Sequence, residues 1–148
     1  MPVVRNPQYY FKEGFCWSDI NTTYLKCRIK GKSINDVKSM SLYGLVDEIP
    51  EYYIVSLINS TFISLYVDNF VNNTQTFQIN DARQLPIVFP ATSTLMHINK
   101  IFNEAISIKK EELNNTNIGI AEADYNLTSL QRELDNEVNQ LYGVIIVK

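Results

Sequence analysis

The chain predicts an α+β fold: a small mixed β-sheet region with one packed helix, followed by a C-terminal antiparallel helical hairpin. Three observations carry that prediction. Apolar residues alternate with cations at Tyr24–Lys30, placing Leu25, Cys27 and Ile29 on one face and Lys26, Arg28 and Lys30 on the other. Ile54, Ile58, Phe62, Leu65 and Tyr66 repeat at helical spacing. In the last third, two stripes recur at spacings of three and four, first Leu95, Ile98, Ile101 or Phe102, Ala105 and Ile108, then Leu127, Leu130, Leu134, Val138 and Leu141.

Each element follows in order. Residues 8–46 read as short strands: aromatic-rich Gln8–Trp17 with a turn or bulge at Gly14, then Tyr24–Lys30, then Ser39–Val46. A single helix is predicted from Pro50 to Phe70, since proline suits a first helical turn and Glu51 complements the dipole. Asn72-Asn73-Thr74 ends it, and Phe77–Pro90 reads as an extended segment marked by Pro86 and Pro90. The hairpin starts at a Thr92 or Ser93 cap, turns at Asn114–Gly119 and stops at Gly143. The expected division is a domain of residues 1–90 and a helical spacer or docking hairpin of residues 91–148.

Composition narrows the function classes. With 148 residues, 45% of them hydrophobic, the chain has material for one real core plus a helical appendage. No apolar run is long enough to span a bilayer, and Met1–Tyr10 lacks a signal-peptide layout, so a soluble cytoplasmic protein is expected. Cys16 and Cys27 are too few for a disulfide framework, and two buried thiols are the expected state. The net charge of -3 is unevenly spread. Residues 1–40 hold seven Lys/Arg against three acids, a balance of +4; the remainder holds six against thirteen, a balance of -7. One end suits phosphates and the other does not.

Catalytic chemistry is hard to place. His97 is the lone histidine, and no Gly-rich phosphate loop or nucleophile elbow is present. Glu133, Asp135 and Glu137 read as a solvated helix face. Trp17 reads as core rather than as a platform for a base.

The functional expectation comes from a resemblance. Asn6-Pro7-Gln8-Tyr9-Tyr10-Phe11 with Glu13-Gly14-Phe15-Cys16-Trp17-Ser18 looks like the segment that opens the specificity region in type IIG enzymes and related adenine methyltransferases. Leu57-Ile58-Asn59-Ser60, followed by Tyr66-Val67-Asp68, resembles their "leucine, leucine, asparagine, serine" helix. Asn72-Asn73-Thr74, Phe77-Gln78-Ile79-Asn80-Asp81 and Leu85-Pro86-Ile87 resemble the stretch that follows it. Leu134-Asp135-Asn136-Glu137-Val138 with Leu141-Tyr142-Gly143 is similar to the closing helix. The match is colinear over nearly the whole chain, and the nearest family is the TaqI-like C-terminal specificity domain. Type I restriction specificity subunits are looser counterparts. Two departures stand out. Asn6-Pro7-Gln8-Tyr9 has Gln8 where the amine-holding Asn-Pro-Pro-aromatic motif of these methyltransferases has its second proline, and no catalytic domain accompanies it.

The resemblance implies a DNA target-recognition module without catalytic activity or cofactor in this fragment, S-adenosylmethionine belonging to the parent enzyme. Expected partners are double-stranded DNA, the methyltransferase catalytic domain or subunit, and a second copy through the C-terminal helices; no membrane is expected. Phosphate contacts fall to Lys26, Arg28, Lys30, Lys32 and Lys38, against the alternative of an ordinary solvated strand face. Base reading falls to Asn72, Asn73, Gln75 and Gln78, with Arg83 behind them. For Gln78, Asn80 and Arg83 the alternative of loop-stabilising hydrogen bonds is the stronger, because a segment shared by enzymes with different targets holds a fold sooner than it reads bases. Two other readings stay open: a half-size type I specificity subunit that dimerises through its helices, and a protein-interaction module that binds no DNA.

Overall fold

A computed structural model describes residues 7–18, 20, 24–34, 39–43, 47–114 and 118–144. The chain divides into two compact units, one of Met1–Asn59 with Ile63–Leu85, the other of Ser60–Phe62 with Pro86–Lys148. Among the described residues no single helix is long and apolar enough to cross a membrane.

The first unit is built on three strands, β1 (Gly14–Ser18), β2 (Cys27–Lys30) and β3 (Ser39–Leu42), in the order β2-β1-β3. The class is α+β as the sequence predicts, but the sheet expected to be mixed is antiparallel at both pairings. Residues 19–26 are too few for the dozen or so that a parallel crossover needs. Central β1 is buried from Gly14 to Trp17. Gly14 is obligatory there, because a Cβ would run into the carbonyl oxygen of Leu42 and lie 2.9 Å from the Tyr43 ring. Cys16 pairs with Arg28 and Cys27 with Trp17, so the two thiols point to opposite faces. Both are free and buried, and burial pushes the Cys27 thiol up to about 12.

Behind the sheet lies helix α1 (Glu51–Ile58), buried from Tyr53 onward. The single helix expected from Pro50 to Phe70 instead breaks after Ile58 and resumes as α2 (Thr61–Tyr66), running into a π-helical turn, Val67–Val71, with a bend of 59°. Asn59 stands at the break as the C-cap of α1. Its Nδ2 donates to the Cys27 carbonyl at 2.7 Å, and its Oδ1 accepts the Cys27 N–H at 2.9 Å. The carboxamide thus stands in for a neighbouring strand on the open edge of β2. Ser64 does the same for the N–H of Leu25.

Phe77–Pro90 is likewise not wholly extended. A short helix, α3 (Ile79–Ala82), forms where the Asp81 carboxylate turns back to accept the Gln78 N–H at 2.8 Å. Trp17 is core, 1% exposed, and its indole N–H donates to the Phe77 carbonyl at 2.8 Å, fixing this segment to the sheet.

The second unit is the helical pair α4 (Thr92–Leu113) and α5 (Ile120–Leu141). Ile98, Ile101, Leu130, Leu134 and Val138, all from the predicted stripes, are buried in it together with Ala123, which the stripes did not include. His97, near the start of α4, meets residues near the end of α5, so the helices run antiparallel. Neither Thr92 nor Ser93 caps α4; Ala91 holds that position without a side-chain hydrogen bond. Gly143, at φ +66, ends the second helix where a left-handed residue is needed. Tyr142 stacks on Phe62 with centroids 4.4 Å apart and donates its hydroxyl to the Pro86 carbonyl at 2.6 Å.

The acidic residues expected as a solvated face are engaged instead. Asp135 accepts the N–H and hydroxyl of Thr61, each at 2.8 Å. His97 lies between two carboxylates, its Nε2 2.7 Å from Glu133 and its Nδ1 2.7 Å from Glu137. With acceptors at both ring nitrogens, the doubly protonated ring is favoured, and hydrogen bonds to Glu133 and then Glu137 hold its pKa above the ordinary 6.5.

Two outcomes follow. Asn59→Ala leaves both polar groups of Cys27 without that partner and should lower the unfolding free energy by roughly 1–3 kcal/mol, read from urea melts. For His97 the folded pKa is raised, so its stabilisation is complete below about 6.5 and is lost as pH rises through the folded value. The thermal midpoint of the hairpin should fall as pH rises above about 6.5, and His97→Gln should flatten that dependence.

Candidate nucleic-acid interface

The expected phosphate contacts separate into distinct groups. Lys26 and Arg28 are exposed, one just before β2 and one within it. Lys30, placed with them by alternation, is 4% exposed. Its ammonium donates to the carbonyls of Lys12 at 2.9 Å, Gly31 at 3.2 Å and Ser33 at 2.8 Å. Three donors meet three acceptors, which leaves nothing for a phosphate. The cause is local: Lys30 stands opposite Gly14, and its ammonium lies 5.4 Å from the Tyr43 ring centroid. The partner face breaks its alternation too, since Leu25 and Cys27 are buried while Ile29 is exposed. As an edge strand, β2 has a neighbouring strand on one side only. Lys32 is exposed beyond the strand end. Lys38 lies outside the described residues.

The expected base readers divide similarly. Asn72 is consumed by its own loop: Nδ2 donates to the Thr76 carbonyl at 2.9 Å and to Asp81 at 3.1 Å, while Oδ1 accepts the N–H and hydroxyl of Thr74. Asn73 and Gln75 project from the turn that Asn72 stabilises, and both are exposed. Gln78 opens α3, and Arg83 reaches Asn80 at 3.3 Å, in keeping with the loop-stabilising alternative.

Two of these features converge. A shallow groove of about 200 Å³ is lined by Tyr24, Leu25, Ser64, Leu65, Val67, Asp68 and the loop from Asn72 to Gln75. The isolated antiparallel bridge between Ile20 and Thr76 holds the chain approaching β2 beside that loop. Half-exposed Tyr24 therefore shares one surface with Asn73 and Gln75, and Lys26 follows it by two residues. The π-helical turn at Val67–Val71 supplies Asp68 to the same wall. Sequence reasoning named no role for Tyr24, although the alternation places it in register with Lys26 and Arg28, because nothing local shows that it meets the Asn72–Gln75 loop. It missed Asn59 and Ser64 because short polar side chains in a helical repeat carry no sign of the strand edge they meet.

Among the described residues, no group of three or more His, Cys, Asp or Glu side chains is arranged to hold a metal ion. What the exposed surface offers is cations, carboxamides and a phenol, a set that binds by hydrogen bonding, charge and stacking.

No family model matches the chain. Over 113 residues, 75% of its length, it is 28% identical to an adenine-specific methyltransferase, BrxX, of Escherichia coli O9:H4 (strain HS). The matched stretch is 9% of that protein, so the chain spans less than a tenth of the relative it resembles.

Proposed function

We propose that this chain is a DNA sequence-recognition module of an adenine-specific DNA methyltransferase of the restriction–modification type, acting beside that enzyme's catalytic domain. The supporting observation is the groove that brings Asn73 and Gln75 beside Tyr24 and Leu25, the residues leading to Lys26 and Arg28, in a chain similar to part of an adenine-specific methyltransferase. In this reading Lys26, Arg28 and Lys32 track the phosphate backbone and set register. Asn73 and Gln75 reach base edges, where a carboxamide can pair bidentately with adenine. Lys30 and Asn72 are withdrawn from those roles, because their hydrogen bonds are spent inside the fold. Gln78 and Arg83 support the loop.

The finer assignment, to the TaqI-like specificity domains of type IIG enzymes, rests on the segments that resemble them and on the buried duties those residues perform. S-adenosylmethionine would be bound by the parent enzyme, in the cytoplasm, and the adenine would be flipped into its catalytic domain. The helical pair would dock on that domain or on a second copy. Leu113, Ile120 and Tyr125, at the turn end of the hairpin, are each more than two-thirds exposed and favour such a protein contact. A half-size type I specificity subunit would use the same surfaces.

The test is fluorescence anisotropy on random-sequence duplex DNA across a salt series. Binding should weaken steeply with salt, and Lys26→Ala with Arg28→Ala should reduce the log–log slope by about one per residue removed. Lys30→Met should instead lower the unfolding midpoint, whereas Gln75→Ala should alter preference among sequences more than the slope. A folded chain that binds duplex with no salt dependence, or whose slope is indifferent to Lys26 and Arg28, overturns this assignment of the DNA face.

A further inference from the structure

A second exposed surface of the first unit combines aromatic rings with cations. An open groove of about 530 Å³ is lined by Tyr9, Phe11, Lys12, Glu13, Lys32 and Tyr43. Tyr9 and Tyr43 stack with centroids 5.5 Å apart and planes 13° from parallel. The Lys12 ammonium sits 5.5 Å from the Tyr9 centroid. Phe11 is 60% exposed although its ring is wholly apolar, and it holds φ +56, a left-handed conformation that bulky side chains rarely adopt. Such strain persists only where the surroundings fix it. Here they do: the Phe11 N–H donates to the Ser33 carbonyl at 3.2 Å, and the carbonyl of the next residue, Lys12, accepts from the buried Lys30 ammonium. The same ammonium holds the carbonyls of Gly31 and Ser33, on either side of Lys32. A buried cation thus pins both segments that carry the groove's exposed ones, Lys12 and Lys32.

From this geometry we propose that the groove is a binding site for one unstacked nucleotide, its base lying on the Phe11 ring beside the Tyr9–Tyr43 stack and its phosphate between Lys12 and Lys32. The chemistry matches on both counts. An exposed ring held in place offers a base a stacking surface at little further ordering cost, and two lysines against the single carboxylate of Glu13 favour an anion. Lys30 is a positioning residue in this site and touches no ligand. The surface uses different residues from the Lys26–Arg28 duplex face, so it suits a base or single-stranded segment outside the double helix.

The test compares two fluorescein-labelled single strands of equal length, oligo-dT and an abasic strand with the same phosphates, against the whole chain. Stacking predicts that the base-bearing strand binds more tightly by roughly tenfold. Phe11→Gly removes the ring while suiting the positive φ, so it should fold and should abolish that preference. Lys12→Ala with Lys32→Ala should weaken both strands alike. Lys26→Ala with Arg28→Ala should weaken duplex binding and leave the ratio between the two strands unchanged, which separates this site from the duplex face. Equal affinity for base-bearing and abasic strands in the unaltered chain overturns the proposal, as does a Phe11→Gly protein that keeps the preference.

Discussion

A three-stranded sheet has two open edges and one central strand, and the first unit is organised by how it closes one of them. At Cys27 both backbone groups of β2 face outward with no fourth strand to meet them. An unpaired, part-buried peptide there would cost as much as several good apolar contacts return. The carboxamide of Asn59 resolves this by offering one donor and one acceptor in the spacing of a peptide group. Asn59 is the last residue to keep a helical hydrogen bond in α1, its N–H donating to the Val55 carbonyl, and from that end its side chain reaches the strand. Ser64, one turn further, then meets Leu25. The broken helix and the strand edge are therefore one feature with two descriptions.

The same logic separates what the sequence disclosed from what it could not. Apolar periodicity is set by burial, and burial by elements that pack over many residues, so the stripes of α4 and α5 and the stop at Gly143 were legible. A hydrogen bond between residues distant in sequence leaves no period. Nothing in Leu57-Ile58-Asn59-Ser60 shows that the third residue faces a strand 32 positions earlier. Lys26, Arg28 and Lys30 were indistinguishable by spacing, yet the last is folded inward because Gly14 lies opposite it and three carbonyls converge. His97 with Glu133 and Glu137 was unreadable for the same reason: the partners sit 36 and 40 residues away on another helix.

These internal duties bear on the resemblance to specificity domains. Trp17 anchors Phe77, Asn59 closes β2, Asp81 turns α3, and Tyr142 binds Pro86. Each lies in one of the segments that carry the resemblance, and each is occupied within the protein. If the chain is the recognition module proposed, its frame must persist while its target changes, so likeness should concentrate in such residues and not in those proposed to meet DNA. Asn73, Gln75, Lys26 and Arg28, by contrast, are exposed and can be exchanged without disturbing those contacts.

Charge extends the argument to the second unit. Glu104, Glu111, Glu122 and Glu133 line one groove of the helical pair, and no lysine or arginine shares it. Such a surface disfavours a phosphate backbone within about a Debye length. The helical pair keeps a narrow apolar seam inside and exposes Leu113, Ile120 and Tyr125 at its turn end, which is the surface the proposed protein contact would use. On the proposed reading the two units would divide the work by electrostatics: cations and aromatics on the first would face nucleic acid, while the acidic second would hold the module against the domain that performs the chemistry.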